Sequence, residues 1–208
     1  MCKMCKCVKC ILIIFLQILI ISLYFKMETT KNKLTPYEKD FFDKLRNYID
    51  KPVYFYGSIQ RDDYLPQASD IDIDIFSNNV ESTLVLLKNF LHSYNNNNNN
   101  NNNTFQFKKT IYRMSKNDKV IFGHKGMYKD EINKLTVEIA VYNEKDKEYI
   151  LQEHRIKFNF PFYITFILIF LKLLHYNLGI ITFDYYRNLK NYIMNTFYKK
   201  ADFINYDV

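Results

Sequence analysis

A Gly-Ser pair and two aspartates are the residues of this chain best suited to chemistry. Gly57 and Ser58 follow an apolar run, and Asp70 and Asp72 lie in an alternating Asp-Ile-Asp-Ile-Asp pattern. Residues two apart on a β-strand face the same side of a sheet, so the pattern directs both carboxylates at one place. Like charges that close repel each other, and a divalent cation such as Mg²⁺ relieves the repulsion. The Gly-Ser turn offers backbone N–H groups and a hydroxyl to a phosphate. Together these residues predict metal-assisted nucleotidyl transfer.

The stretch around these residues resembles a known motif. It reads YFYGSIQRDDYLPQASDIDIDIF and is similar to the GS-x(n)-D-h-D motif of the DNA polymerase beta superfamily of nucleotidyltransferases, above all its small, minimal members. The resemblance implies that Gly57 and Ser58 contact a nucleoside triphosphate, that Arg61 offsets phosphate charge, and that Mg²⁺ or Mn²⁺ is the cofactor. Two departures stand out: Asp62 replaces the usual glycine of an Arg-Gly-Asp-like turn, and the loop carries one extra residue, at 67–68.

A third carboxylate completes the set that two-metal nucleotidyl transfer needs. In the resembled superfamily it lies on a later strand, between two apolar residues, and Glu138 fits that pattern. Glu138 is an isolated acid in the strand-like run LTVEIAVY, where a carboxylate is costly unless it is paired or bound to a metal. We therefore expect Asp70, Asp72 and Glu138 to be the metal-binding and catalytic residues. The alternative is a solvent-facing glutamate on an edge strand. Asp74 lies one repeat further along its strand and is predicted to be a bystander.

The order of predicted strands and helices around these residues indicates an α/β (α+β) fold. We expect a small mixed sheet, flanking helices on one side and a helical C-terminal region. Thr35 and Pro36 are typical of a helix start, and helical spacing continues to about Asp50. Alternating or apolar runs predict strands at 53–56, around 71–75, and at 104–114, 119–123 and 135–142. Further helices are predicted at 80–93, 160–174 and 184–198. The domain boundaries follow as 27–150 for the nucleotidyltransferase-like part, with a disordered Asn-rich loop at 94–104, and 151–208 for the helical region.

The first 26 residues form a separate unit. An apolar run at 8–25, preceded by lysines and followed by no small-residue cleavage site, predicts a membrane anchor. The rival interpretation is that translation starts at Met27, which would give a cytoplasmic protein. All four cysteines lie within the first ten residues, so the fold does not depend on disulfides, as expected in a reducing compartment. More than half of the net charge of +7 also lies in residues 1–26, which leaves the remainder mildly basic.

The favoured function is transfer of a nucleoside monophosphate from a nucleoside triphosphate to an acceptor hydroxyl. The resemblance leaves the acceptor open among RNA, protein and small molecules such as aminoglycosides. The alternative is a catalytically inactive module of the same fold that binds a nucleotide or a partner. The sequence has no G-x-x-x-x-G-K-[ST] phosphate loop, nucleophile elbow or zinc-protease motif, which argues against those enzyme classes.

Overall fold

The computed structural model describes residues 27–97, 105–114, 119–156, 160–197 and 203–205. The strands are β1 (Tyr54–Tyr56), β2 (Ile71–Ser77), β3 (Lys108–Arg113), β4 (Val120–Asp130), β5 (Leu135–Asn143) and β6 (Phe203–Asn205). The helices are α1 (Pro36–Ile49), α2 (Val80–Asn97), α3 (Lys147–Ile156), α4 (Phe162–Lys172) and α5 (Phe183–Phe197). This mixed α/β architecture confirms the predicted fold class.

The strands form one mixed sheet, in the order β1-β2-β5-β4-β3-β6. The pair β2–β5 is parallel and its neighbours are antiparallel. Directly paired residues share a face of the sheet, and Asp72 is paired with Tyr56 on β1 and with Glu138 on β5. Met127 on β4 is in turn paired with Glu138. The sheet thus brings the two predicted strand carboxylates into direct opposition.

Helix α1 begins and ends where the sequence predicts. Thr35 and Glu38 form a capping box, in which the Thr35 hydroxyl accepts from the Glu38 N–H at 3.2 Å and the Glu38 carboxylate accepts from the Thr35 N–H at 2.7 Å. These bonds satisfy N–H groups that a helix start otherwise leaves unpaired. Pro36 occupies the first turn, and Asp50 ends the helix in a left-handed conformation, with φ of 50°.

The main core lies between one face of the sheet and the helices α1 and α2. Ile71, Ile73 and Ile75 point into it from β2, as predicted, together with alternate residues of β5. The aspartates occupy the opposite face. That face is not open throughout, because Ile150 and Leu151 of α3 pack at one end of it against a second apolar cluster. The prediction of helices on one side only was therefore wrong. Phe76 and Tyr142 follow the carboxylates on the same face of the sheet, and α3 helps to bury these aromatic side chains.

Several element boundaries differ from the prediction. Helix α2 runs to Asn97, so the first three asparagines of the Asn run are helical rather than part of a disordered loop; Tyr94 packs against the core and extends the helix beyond Ser93. Residues 98–104 lie outside the described residues. Strand β4 extends to Asp130 because it pairs with β5 from Leu135 to Tyr142. Strand β3 begins later than predicted, at Lys108. The short strand β6, within the predicted helical region, pairs with β3.

Helix α4 was predicted to be a buried core helix. One face is indeed buried, through Ile164, Leu168, Leu171 and Lys172. The other face is exposed, with Phe162 at 85% and Phe166 at 70%. Across the described ranges, none of the helices has both the length and the apolar character to cross a membrane. The predicted anchor at 8–25 lies outside those ranges.

Candidate active site

The Gly-Ser turn is a single tight turn, Gly57–Gln60, that directly follows β1. Gly57 has φ of +71°, a left-handed conformation that side chains rarely adopt. A Cβ added to Gly57 would lie 1.8 Å from the Oδ2 atom of Asp72. Both the backbone angle and the approach of the carboxylate therefore require glycine at this position. The turn and the aspartate strand meet here.

A segment that precedes α1 holds this turn in place. The Asn32 side-chain amide donates to the carbonyls of Ile59 and Arg61, at 2.9 and 2.6 Å. The Gln60 amide accepts from the Lys31 N–H at 3.0 Å and donates to the Thr29 carbonyl at 2.6 Å. Ser58 is buried, and its hydroxyl lies 3.5 Å from the Asp70 carbonyl. These bonds fix the turn relative to the start of β2.

A buried cluster of charges supports the loop between the turn and β2. The Arg61 guanidinium donates to both carboxylate oxygens of Asp63, at 2.7 and 3.1 Å. Lys172 of α4 lies 3.2 Å from the same carboxylate and donates to the Ser69 hydroxyl at 2.9 Å. Burial lowers the pKa of Lys172 to about 8, although Asp63 opposes that fall. The structure thus places Arg61 in a loop-stabilising ion pair, and its contact with phosphate stays a prediction.

The departure at Asp62 has a simple structural outcome. Its side chain is 70% exposed and forms an ion pair with Lys31 at 2.6 Å. Gln67, beside the extra residue of the loop, adopts a left-handed backbone with φ of 63°. Both departures are therefore accommodated at exposed positions of the loop, and Gln67 also lines the cleft beside Asp70.

The predicted carboxylates differ in their exposure. Asp70 is exposed and directly precedes β2, whereas Asp72 and Glu138 are partly buried. Although Asp70 is exposed, the surrounding protein removes part of its hydration, and this desolvation raises the pKa of its carboxyl group. Burial also raises the pKa of Asp72, to well above its ordinary range, and the nearby negative charge of Glu138 adds to this rise. The positive charge of Lys190 on α5 opposes the rise at both aspartates. This is the electrostatic pattern of acids that share one small region.

Glu138 is held by two neighbours on the same face of the sheet. The Lys125 ammonium lies 2.7 Å from its Oε1 atom, and the Tyr56 hydroxyl donates to that oxygen at 3.2 Å. Within the described residues, no three acidic, histidine or cysteine side chains are close enough together to hold a metal as they stand. The backbone register nevertheless pairs Glu138 with Asp72 on the same face of the sheet, while the Glu138 carboxylate is in an ion pair with Lys125.

The donor set fits a hard divalent cation. Asp70, which directly precedes β2, and Asp72 and Glu138, which are paired on neighbouring strands, carry carboxylate oxygens, the type of ligand that Mg²⁺ and Mn²⁺ prefer. Burial and the negative charge of Glu138 raise the pKa of Asp72, and a bound cation would stabilise such a group as a carboxylate. The ligands would be Asp70, Asp72 and Glu138, as predicted from the motif.

Asp74, the predicted bystander, has a different partner. It is fully buried, and its Oδ2 atom lies 2.8 Å from the Nε2 atom of His154 on α3. The His154 ring stacks on the Tyr56 ring, with centroids 4.0 Å apart and planes 10° from parallel. Asp74 therefore orients a histidine, which packs on the tyrosine that donates to Glu138.

Sequence reasoning missed three of these residues. Lys172 carried a usable signal, because a lysine inside a strongly apolar helix needs a partner. Lys125 and Lys129 lie on the same face of β4 because strand side chains alternate. The predicted strand, 119–123, was too short to include either lysine. His154 carried no signal, because its partner Asp74 lies 80 residues earlier in the chain.

Comparisons with known proteins bear on the family. No curated protein matches this chain, and no solved structure does either. The sequence model of one family, described as the nucleotidyltransferase domain, matches residues 38–163, more than half of the chain. The matched segment contains most of α1, the Gly-Ser turn, both aspartates and Glu138. The chain therefore belongs to the nucleotidyltransferase domain family.

Proposed function

We propose that this protein transfers a nucleoside monophosphate from a nucleoside triphosphate to an acceptor hydroxyl, with Mg²⁺ or Mn²⁺ as cofactor. The observation that carries the proposal is the pairing of Asp72 with Glu138 on adjacent parallel strands, with Asp70 two residues before Asp72. The close approach of Gly57 to the Asp72 carboxylate adds a turn that faces the same point. Paired carboxylates beside such a turn suit a metal-bound triphosphate.

The proposed reaction is a displacement at the α-phosphorus of the nucleoside triphosphate. The acceptor oxygen forms a bond to the α-phosphorus, the bond from that phosphorus to the bridging oxygen breaks, and pyrophosphate leaves. The acceptor proton passes to a carboxylate oxygen of Glu138. A bound divalent cation supplies charge neutralisation for the triphosphate and the attacking oxygen. The Gly57 turn and the Ser58 hydroxyl contact the triphosphate, and Arg61 reaches phosphate only by releasing part of its pairing with Asp63.

A labelling experiment tests the proposal. The full chain is incubated with Mg²⁺, nucleoside triphosphates radiolabelled at the α-phosphate, and in turn RNA, protein extract or an aminoglycoside. We expect label to enter one acceptor class, and pyrophosphate to appear in equal amount. The double variant Asp70→Asn/Asp72→Asn should lose the label, because amides bind a hard cation far less well than carboxylates.

The matched control is Asp62→Asn, which removes an exposed acid from the same loop. It should keep the activity of the wild type. Labelling by the double variant at the wild-type rate would contradict the proposal, and so would labelling that is indifferent to removal of divalent cations by a chelator.

We also propose that residues 8–25 attach the protein to a membrane. The full chain should sediment with membranes after cell fractionation, whereas a version that starts at Met27 should remain in the supernatant. Sedimentation of neither version, or of both, would contradict the assignment of the anchor to these residues.

A further inference from the structure

A cleft of about 700 Å³ opens directly beside Asp70. One wall comes from the loop before β2, a second from the β4–β5 hairpin, and a third from the segment between α4 and α5. An acceptor that reaches the paired carboxylates through this cleft meets its lining first. The chemistry of that lining therefore bears on the class of acceptor.

The cleft is bordered by positive charge. Lys129 and Lys134 line it, and both are exposed. Among the described residues that line it, Asp70 is the only acid, and Asp70 is a proposed metal ligand. Lys190 of α5 acts on the pKa values of Asp70 and Asp72 from nearby. Strand alternation also places Lys125 and Lys129 on the face of the sheet that carries Glu138.

Two aromatic side chains lie at the same cleft. Tyr176 and Phe183 line it and remain 38% and 53% exposed. Tyr176 is close enough to Asp70 for that charge to contribute to the raised pKa of the tyrosine, although burial is the larger cause. Exposed aromatic rings beside lysines are the combination that binds single-stranded nucleic acid, because rings stack on bases while ammonium groups contact phosphates.

We propose that this cleft binds the terminal nucleotide of a single-stranded polynucleotide, whose terminal hydroxyl is the acceptor. The lysines contact backbone phosphates, and the aromatic rings stack on the terminal bases. An aminoglycoside is a polycation, which a lysine border repels. The inference rests on the proposed function for its chemistry, while the binding itself needs neither a nucleoside triphosphate nor a divalent cation.

Binding is tested with the full chain and a short, fluorescently labelled single-stranded RNA, followed by anisotropy without nucleotide as salt is raised. Lys129→Gln/Lys134→Gln should weaken binding by about tenfold or more, as expected for lost contacts to charged groups. The slope of log affinity against log salt should become shallower by about 0.7 for each phosphate contact removed. Phe183→Ala, at an exposed ring, should weaken binding by about tenfold through lost stacking.

The matched control is Lys88→Gln/Lys109→Gln. These two exposed lysines lie near each other, since the charges of both lower the pKa of His124. His124 and its strand partner Lys109 lie on the face of the sheet opposite to Glu138. The control removes the same charge and should change neither affinity nor slope. Equal weakening by the two double variants would overturn the inference, as would no binding of RNA by the wild type. Unfolding temperatures of all variants identify any loss of fold.

Two further outcomes separate this inference from the proposed function. If RNA binds in the cleft but no label is transferred, the assignment of the cleft to a polynucleotide stands, whereas the role of its terminal hydroxyl as acceptor fails together with the proposed function. If label is transferred to protein or an aminoglycoside while RNA does not bind, the inference fails alone. Binding of a fluorescent nucleoside triphosphate is measured with the same cleft variants. If they weaken binding of this nucleotide but leave binding of RNA unchanged, the cleft holds the nucleotide base and the inference is overturned.

Discussion

Replacing Gly57 by alanine adds a single carbon atom, Cβ, to the candidate site. The added Cβ would lie 1.8 Å from the Asp72 Oδ2 atom, whereas ordinary contact begins near 3.4 Å. The Asp72 carboxylate must therefore move by more than an ångström, because the added Cβ is fixed to the backbone of residue 57. A displacement of about 1 Å in an active site can cost about a hundredfold in rate. We expect Gly57→Ala to lower kcat/KM by about that factor.

The same substitution also strains the backbone. Alanine at φ of +71° costs about 1–2 kcal/mol in the left-handed region. For a chain of this size, that corresponds to a fall in Tm of about 2–8 °C. Gly179→Ala separates the two effects, because Gly179 has φ of +62° but a Cβ there meets nothing within 4 Å. It should lose similar stability and keep its activity.

The assay is release of pyrophosphate with Mg²⁺, a nucleoside triphosphate and the identified acceptor, alongside thermal unfolding of each variant. Wild-type kcat/KM in Gly57→Ala would contradict this prediction, since Asp72 would then tolerate displacement. The prediction is equally refuted if Gly179→Ala loses as much activity as Gly57→Ala, since backbone strain alone would then explain the loss.

Two other substitutions test the surroundings of the site. Tyr56→Phe keeps the ring that stacks on His154 but removes the hydrogen bond to Glu138, so kcat should fall about fivefold while Tm is kept; an unchanged kcat argues against a positioning role. Lys172→Met should cost about 2–3 kcal/mol in the free energy of unfolding, measured with urea. Because burial lowers the Lys172 pKa from 10.5 to about 8, the unfolded chain binds more protons between those values, and wild-type stability relative to the variant should rise with pH there. An equal difference at pH values below and above this window contradicts the burial of a charged lysine.

Local patterns in the sequence predicted the parts of the fold that depend on local physics. The alternation of Ile71, Ile73 and Ile75 assigned the core face of β2 because strand side chains alternate, and the structure buries all three. The Thr35-Pro36 start of α1 followed from the preference for proline at the first position of a helix. The motif pointed to Glu138, and the register pairs it with Asp72; its role as a metal ligand stays a prediction.

The remaining features depend on contacts between distant parts of the chain. Lys172 donates to the carbonyl of Asp63 across 109 residues, and His154 reaches Asp74 across 80. Neither pair has a periodic signature. Strand β4 was predicted too short because its second half is polar and contains Gly126, and pairing with β5 overrides such local preferences.

A crystal soaked with Mn²⁺ and a non-hydrolysable nucleoside triphosphate tests the central claim, that Asp70, Asp72 and Glu138 bind the catalytic cation. We predict anomalous density at coordination distance, about 2.1 Å for a hard divalent cation, from oxygens of all three residues, with Glu138 turned away from Lys125. Density bound elsewhere, or an intact Glu138–Lys125 ion pair beside a bound nucleotide, would contradict the account.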